Sequence, residues 1–280
     1  MNYEIFSKIV GLTTIFSPEY KKNLLNDAKD FSSWEFKEIV EFIYQEEEKI
    51  YVENDTILFH EYKEPVIKNK KQIQNIKRSA KFLNELLKLL RKNIKPWVIL
   101  SDLEKIAWEF LKNNNIKSSF KWVDGYKYNI SVSVNEKIFH HIPGKYVLKK
   151  WDLITIDTWV DYQWWITDSA FVMVVWWHKQ NYKAWNMLYI LKNTLDMHIK
   201  KLKPGYNMYD FSFDFYNDIV SQGCNIIKNS SWHGVGNALH EEPCIYNWPC
   251  EYMKNIIIKP WMVLAIEPLI TGETRIAFTD

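Results

Sequence analysis

The chain has 280 residues, 47% of them hydrophobic and 25% charged, so a large folded core is expected and wholesale disorder is not. The net charge of +2 argues against a dedicated nucleic-acid binder, and no stretch reaches the roughly 18 uninterrupted apolar residues of a membrane span. Three cysteines without CxxC spacing, and charges at Glu4 and Lys8 that argue against a signal peptide, predict a protein of the reducing cytoplasm.

The N-terminal region shows no motif. Residues 1–63 are rich in Lys, Glu and aromatic side chains, with helix-like runs such as EFKEIVEFIYQEEEKI. They are expected to form a mostly helical extension of unknown role. A larger domain is expected over residues 64–280, where all the motifs with recognisable chemistry lie.

Two helices are predicted at the start of this larger domain. From Lys68, apolar residues recur with the period of an amphipathic helix, which should end before Pro96. Ser101 then reads as the N-cap of a second helix that continues to about Lys112.

Strands and a second pair of helices follow. The runs NISVSVN, KIFHHI, DLITIDTWV and ITDSAFVMVV predict strands. A helix is expected from about Tyr182 to Leu202, and Asn207 is expected to cap the next one. The loop SSWHGVGNALHEEP and the strand MVLAIEPLI come last. Helix, helix, strands therefore occurs twice, which predicts an α+β fold with an internal duplication.

Four residues could form a metal site. Asp157 and Asp168 end two β-type runs that could pair as a hairpin, which would bring both carboxylates to one face. His233 lies in the glycine-bearing segment WHGVG, and Glu267 lies in the apolar run VLAIEPL. An unpaired acid among apolar residues is costly, whereas carboxylates and imidazole together suit one or two divalent metal ions.

Each residue also has an ordinary structural interpretation. A single Asp beside a turn, such as Asp157, is more often a turn former than a metal ligand. His140, His141 and His240, taken singly, are more often surface or hydrogen-bonded core histidines. Only Glu267 is hard to explain without a metal or a charged partner.

The ordered set of motifs resembles a known family. The chain carries SVNEKIFHHIPG, WDLITIDTWV, WWITDSAFV, WHGVGNALHEEP and KPWMVLAIEP in this order. It resembles the type I methionine aminopeptidases, metallopeptidases of the pita-bread fold, from about Pro65 to Asp280. The short distance from His233 to Glu267 leaves no room for the insert that marks the type II enzymes.

The resemblance implies a role for each residue. Asp157 would be a metal ligand and Asp168 a bridging ligand, while His233 and Glu267 would bind the second metal. Glu267 would also relay the proton of the attacking water. His140 and His240 would bind the substrate, with His140 beside the amine and the scissile amide and His240 at the carbonyl oxygen. The resemblance thus implies His140, His240 and Glu267 as catalytic residues.

The resemblance also implies a biological role. The family removes the initiator methionine from nascent proteins with a hydroxide activated by two divalent ions, for which Mn, Fe, Co and Zn are all suitable. A cytoplasmic monomer that acts on nascent polypeptide N-termini is expected; contact of residues 1–63 with the ribosome is left open. The alternatives are an Xaa-Pro aminopeptidase or prolidase-like enzyme of the same fold, and a non-catalytic pita-bread binding module.

Tryptophan stands at or near glycine positions of the family. The chain has 14 Trp and 8 Gly, where average composition predicts roughly 20 Gly. A gene in which UGA encodes glycine, translated as if UGA encoded tryptophan, would give this pattern, and this is our hypothesis. The positions concerned are Trp97, Trp122, Trp151, Trp159, Trp164, Trp176, Trp232, Trp248 and Trp261.

A second departure lies at the C-terminus. The family has one more Glu ligand in a final strand of the type QFEHT, beyond the position of Asp280. We therefore expect a fragment without this ligand and its strand, which binds the metal pair poorly. His141, where the family usually has glycine, is a smaller departure. The chain as written is accordingly expected to be weakly active or inactive.

Overall fold

The computed structural model describes residues 62–121, 123–138, 140–176, 182–227 and 230–272. The chain divides into two compact units, residues 1–61 with 249–252, and residues 62–248 with 253–280. The predicted helical extension therefore lies almost wholly outside the described residues. None of the helices in the described ranges is long and apolar enough to cross a membrane.

The first pair of helices follows the predicted order. Helix α1 spans Lys70–Asn93 and helix α2 spans Leu100–Asn113. Asn69 caps α1 through its side chain, which accepts a hydrogen bond from the Gln72 backbone N–H. The apolar face of α1 is buried against the sheet, with Leu86 and Leu90 fully covered.

The predicted N-cap of α2 at Ser101 is wrong. The helix begins at Leu100, after Ile99, which makes no side-chain cap. The first backbone N–H groups of the helix donate hydrogen bonds to a segment distant in sequence instead. Leu100 N–H donates to the Tyr146 carbonyl and Ser101 N–H donates to the Gly144 carbonyl, each at 3.0 Å. Partners from elsewhere in the fold thus replace the side-chain cap.

The first sheet is built on a long hairpin. Strands β1 (Lys117–Ser118) and β2 (Ser131–Val134) flank β3 (Leu153–Tyr162), which pairs antiparallel along its whole length with β4 (Trp165–Val174). The predicted hairpin is therefore confirmed. The run KIFHHI is not a strand in its described residues, since a turn closes behind β2 at Lys137 and His140 has a φ of 60°.

The second half repeats the arrangement with shorter strands. Helices α3 (Tyr182–Ile199) and α4 (Met208–Ser221) are followed by the strands β5 to β9. Asn207 caps α4 as predicted, because its side chain accepts the Tyr209 N–H at 2.7 Å. The strands are β5 (Asn225–Ile226), β6 (Ser231–Gly234), β7 (Glu241–Tyr246), β8 (Leu264–Ala265) and β9 (Ile270–Thr271).

Two predictions about these strands need correction. His233 was placed in a loop but lies in β6, which pairs with β7 on one side and β8 on the other. The run MVLAIEPLI forms only the short β8, and Glu267 lies just beyond it. One partner of β6, the strand β8, is distant in sequence, so local composition could not reveal that pairing, whereas β7 follows after a short loop.

Several tryptophans occupy turns with a left-handed backbone. Five of the suspected positions have φ between 56° and 78°, and their side chains are 40–74% exposed. This region favours glycine, because a Cβ atom clashes there with the backbone. The five residues are Trp97, Trp151, Trp164, Trp176 and Trp261.

The other suspected tryptophans differ. Trp159 lies within β3, Trp232 lies within β6, and Trp248 is buried; none of the three has a positive φ. Trp122 lies outside the described residues. The backbone therefore calls for glycine at five of the nine positions and makes no such demand at these three.

Candidate metal centre

The β3–β4 hairpin brings two carboxylates to one face of the sheet. Asp168 lies directly opposite Trp159, and Asp157 lies two residues before Trp159 on the same strand. Directly opposed residues share a face, and so do residues two apart on a strand. Asp157 and Asp168 are therefore diagonal neighbours, which is the juxtaposition that the sequence predicted.

Strand β6 and the segment after β8 supply the other two side chains. His233 pairs with Ala265 across the sheet, two residues before Glu267. The His233 Nε2 atom lies 3.4 Å from Asp168 Oδ2 and 3.4 Å from Glu267 Oε1. Asp168, His233 and Glu267 thus form a group whose ligand atoms all lie within 4.8 Å of one another.

The tautomer of His233 suits a ligand. Its Nδ1 lies 2.9 Å from the carbonyl oxygen of Gly234, a distance at which Nδ1–H donates a hydrogen bond. In the neutral ring the proton is then on Nδ1, which leaves the lone pair of Nε2 on the side of the carboxylates for a metal ion. Metal-binding histidines are typically oriented by a hydrogen bond of this kind.

The charges at this centre are unbalanced. Burial raises the pKa of Asp157 well above its usual value, and the neighbouring charges of Asp168 and Glu267 raise it further. Burial likewise raises the pKa of Asp168, against the opposing effect of His233. Burial lowers the pKa of His233, but its contacts with Asp168 and Glu267 outweigh this and raise the pKa overall.

The unpaired oxygens show what would balance these charges. Asp157 Oδ1 and both carboxylate oxygens of Asp168 are buried without a hydrogen-bond donor. Buried carboxylates normally require paired charge, hydrogen bonds or a metal. Oxygen donors with one imidazole nitrogen are a donor set that divalent cations accept, so these residues fit such a cation.

The two predicted substrate histidines lie beside this centre. The His240 ring centroid is 4.4 Å from that of His233, and 5.8 Å from that of Trp159. His140 is also near Trp159, at 6.1 Å between centroids. The structure therefore gathers all six predicted residues around one site, with both histidines exposed at its mouth.

An aromatic wall that the sequence did not indicate lies beside the two histidines. Phe120 and Trp159 stack with centroids 3.9 Å apart, and Tyr126 packs on Phe120 at 4.8 Å. Trp159 shares a face of the sheet with both carboxylates, so its position at the site follows from the hairpin register. Phe120 follows the short β1 strand and carries no local signal of such a role.

This geometry defines the class of protein. The model of metallopeptidase family M24 matches residues 74–280, and the chain belongs to that family. Divalent metal use is a property of the family, in agreement with the donor set described above.

Particular relatives lie within this class. The methionine aminopeptidase of Mycoplasma capricolum is 36% identical over 214 residues, which cover 75% of this chain and 84% of the relative. The crystal structure of methionine aminopeptidase from Thermotoga maritima matches with a TM-score of 0.70 at 31% identity, and covers 75% of this chain and 84% of that chain. The chain has the pita-bread fold of these enzymes.

The same fold also occurs in prolidases. The prolidase of Pyrococcus horikoshii matches with a TM-score of 0.62 at 19% identity, covering 73% of this chain and 56% of that chain. At this identity the match concerns the fold alone. The methionine aminopeptidases are similar in sequence as well as in fold.

Proposed function

We propose that the chain is a metalloaminopeptidase that removes the N-terminal methionine of newly made proteins. The observation that carries the metallopeptidase assignment is the group of Asp168, His233 and Glu267 beside Asp157, in which carboxylate oxygens of the two aspartates are buried and unpaired. Methionine as the released residue is supported by relatives named methionine aminopeptidase at 34–36% identity. The cytoplasm, where N-termini of nascent proteins are available, is the proposed location.

Asp157, Asp168, His233 and Glu267 would hold two divalent ions, with Mn, Fe, Co and Zn as candidates. Bound there, the ions would supply Lewis-acid catalysis and lower the pKa of a water molecule. The two buried aspartates would hold the metal ions away from bulk solvent. Electrostatic interactions are stronger in such an interior than in water.

The remaining residues act on the peptide. Glu267 has a side chain 27% exposed, so its carboxylate can take a proton at the site and return it to the departing amine or to solvent. His240, beside His233, is positioned to donate a hydrogen bond to the substrate carbonyl oxygen as negative charge develops there. His140, whose ring lies 6.1 Å from that of Trp159, is the residue proposed to contact the substrate amine.

The aromatic wall gives a physical basis for binding methionine. Phe120 and Trp159 present apolar ring surface next to His140 and His240. A thioether packs favourably against aromatic rings, by about 0.3–1.5 kcal/mol. A flexible, unbranched side chain such as that of methionine can adapt to such a surface.

Peptide hydrolysis under defined metal conditions tests this function. The chain is treated with a chelator, reloaded with Mn²⁺ or Co²⁺, and assayed with the peptide Met-Ala-Ser and with an Xaa-Pro dipeptide. Release of methionine that is lost with the chelator, restored by the metal and abolished in Asp168→Asn is expected. Lys259→Met, which removes an exposed charge, is the matched control.

Two results would contradict the proposal. Faster cleavage of the Xaa-Pro dipeptide than of Met-Ala-Ser would indicate a prolidase-like enzyme. Absence of hydrolysis with either metal would indicate a non-catalytic module, provided that the protein assayed has glycine at the five left-handed tryptophans and carries the further Glu ligand that the family resemblance implies.

A further inference from the structure

Lys68 is a buried lysine to which the proposed chemistry assigns no role. It lies two residues before α1, and its ammonium group forms an ion pair with the carboxylate of Glu241. The side chains of Lys68 and Glu241 are 1% and 6% exposed. Lysine is rarely buried to this extent, because removing its charge from water is costly unless a partner compensates.

Glu241 connects Lys68 to a loop at the site. While Oε2 bonds to Lys68, Oε1 accepts the backbone N–H groups of Asn237 and Ala238, at 2.7 and 3.0 Å. The segment 235–240 connects β6 to β7 and therefore joins His233 to His240. The backbone of this segment is therefore hydrogen-bonded to the Glu241 carboxylate, whose charge Lys68 compensates.

The loop also packs directly on the lysine stem. A Cβ atom on Gly236 would lie 2.8 Å from Cε of Lys68 and 3.0 Å from Cδ1 of Ile76, and the φ of 153° at this position favours glycine. The Gly236 carbonyl accepts a hydrogen bond from the Ile166 N–H at 2.6 Å. Ile166 lies on β4, two residues before Asp168. The loop is thus clamped between Lys68 on one side and the metal-ligand strand on the other.

We propose that Lys68 is a positioning residue, which holds His240 at the metal centre through Glu241 and the segment 235–240. His240 directly precedes Glu241, and its ring packs edge-on against His233 at 4.4 Å. Without the ammonium group, the Glu241 carboxylate would be buried and uncompensated. It would turn toward solvent and release the Asn237 and Ala238 amides. The role of His240 in catalysis rests on the proposed function.

Lys68→Met tests this inference, because methionine keeps most of the stem and removes the charge. Hydrogen–deuterium exchange of residues 236–241 is compared with that of residues 153–162, and kcat and KM are measured on Met-Ala-Ser with Mn²⁺. We expect exchange in 236–241 to rise about tenfold or more with β3 unchanged. We expect kcat to fall about tenfold with KM nearly constant, because a displaced group loses transition-state contacts.

Lys259→Met is the matched control. Lys259 forms an ion pair with Glu64 at 2.7 Å, but both side chains are largely exposed, at 46% and 72%. The same change of charge at this surface pair should leave kcat and the exchange of 236–241 unchanged.

Glu241→Gln and the double variant Lys68→Met with Glu241→Gln keep the test decisive if Lys68→Met does not fold. The double variant removes both charges, and the glutamine oxygen can still accept from Asn237. Because one removal already breaks the pair, the double variant should lie no further from the wild type than Glu241→Gln alone, in kcat and in loop exchange. Losses that multiply would overturn the inference.

Two other results would also overturn it: unchanged exchange in 236–241, or faster exchange with unchanged kcat. A wild-type chain that releases no methionine would contradict the proposed function separately. In that case, the ¹³Cε1 resonance of His240 decides the positioning question. A shift in Lys68→Met relative to the wild type, or in Glu241→Gln if Lys68→Met does not fold, that exceeds the shift in Lys259→Met would support positioning, and no such shift would refute it.

Discussion

The two halves of the fold use the same turn before their second helix, with Trp97 in one half and Gly205 in the other. Trp97 has a φ of 78° and donates its N–H to Leu148 at 2.7 Å. Gly205 has a φ of 89° and donates its N–H to Ile258 at 2.8 Å. Both follow a Lys-Pro pair, and each turn leads through an isolated β-bridge into its helix.

A second pair of turns shows the same correspondence. Trp151 lies four residues after Val147, the bridge partner in the first half, and Trp261 lies four residues after Ile257, the partner in the second. Their φ angles are 74° and 71°. The duplicated hydrogen bonds therefore fix a left-handed backbone whichever side chain is present, and only Gly205 meets that requirement without steric cost.

The largest expected effect comes from a tryptophan that lies outside these turns. Trp232 is fully buried in β6 and packs edge-on against Phe211 and Phe215, with centroids at 5.5 and 5.8 Å. Trp232→Gly should lower the free energy of unfolding by about 3–5 kcal/mol, because the ring leaves a cavity. Urea denaturation followed by circular dichroism measures the change.

Trp232→Phe is the control for this variant. It keeps an aromatic ring and removes the indole N–H, which is buried without a hydrogen-bond partner. A much smaller loss is therefore expected. An increase in stability for Trp232→Gly would refute the distinction between core and turn tryptophans, and would show that glycine belongs at all these sites.

The five left-handed tryptophans should give the next largest effect, with the opposite sign. Relief of the left-handed backbone is worth about 1–2 kcal/mol per residue, and the added freedom of glycine in the unfolded chain costs about 0.5–1 kcal/mol. Simultaneous replacement by glycine should therefore stabilise the chain by about 3 kcal/mol when the gains at the five sites are taken as additive. No gain in the same urea titration would disprove the strain interpretation.

Much of this arrangement could be predicted from sequence because its determinants are local. The apolar period of α1, the Asn207 cap and the β3–β4 hairpin all depend on residues close in sequence, and all were found. The hairpin alone places Asp157 beside Asp168. Turns that require glycine are also determined by residues adjacent in sequence, so tryptophan at these positions could be identified from the sequence.

The features that were missed depend on distant partners. The start of α2 is set by carbonyl groups around residue 145, and the pairing of β6 with β8 joins His233 to the distant Ala265. The Lys68–Glu241 pair joins residues 173 positions apart. A lysine in a lysine-rich segment reads as a surface residue, and only the packing of Gly236 on its stem shows otherwise.

An exchange between the halves isolates the turn itself. Trp97→Gly should stabilise the chain by about 0.5–1 kcal/mol, and Gly205→Trp should destabilise it by a similar amount. A Cβ atom on Gly205 would meet no other atom within 4 Å, so steric crowding should not add to the backbone cost. Free energies of unfolding from matched urea titrations measure both. Changes of the same sign would show that the two turns are not equivalent.

The hairpin turn between the two aspartates should give the smallest effect. Gln163 and Trp164 have φ values of 55° and 69°, the backbone of a type I′ turn, in which glycine is strongly preferred at the second position. Trp164→Gly relieves this strain but also removes the contact between the Trp164 ring and Lys117 Nζ, which lies 5.0 Å from the ring centroid. An exposed cation–π contact contributes about 0.5–1 kcal/mol, which nearly cancels the gain.

In a Lys117→Met background the contact is already absent, so the same replacement should stabilise the chain by the full 0.5–1 kcal/mol, about as much as Trp97→Gly. Equal gains in the two backgrounds, measured by urea denaturation, would show that Lys117 does not stabilise Trp164 and that the turn strain alone is being measured.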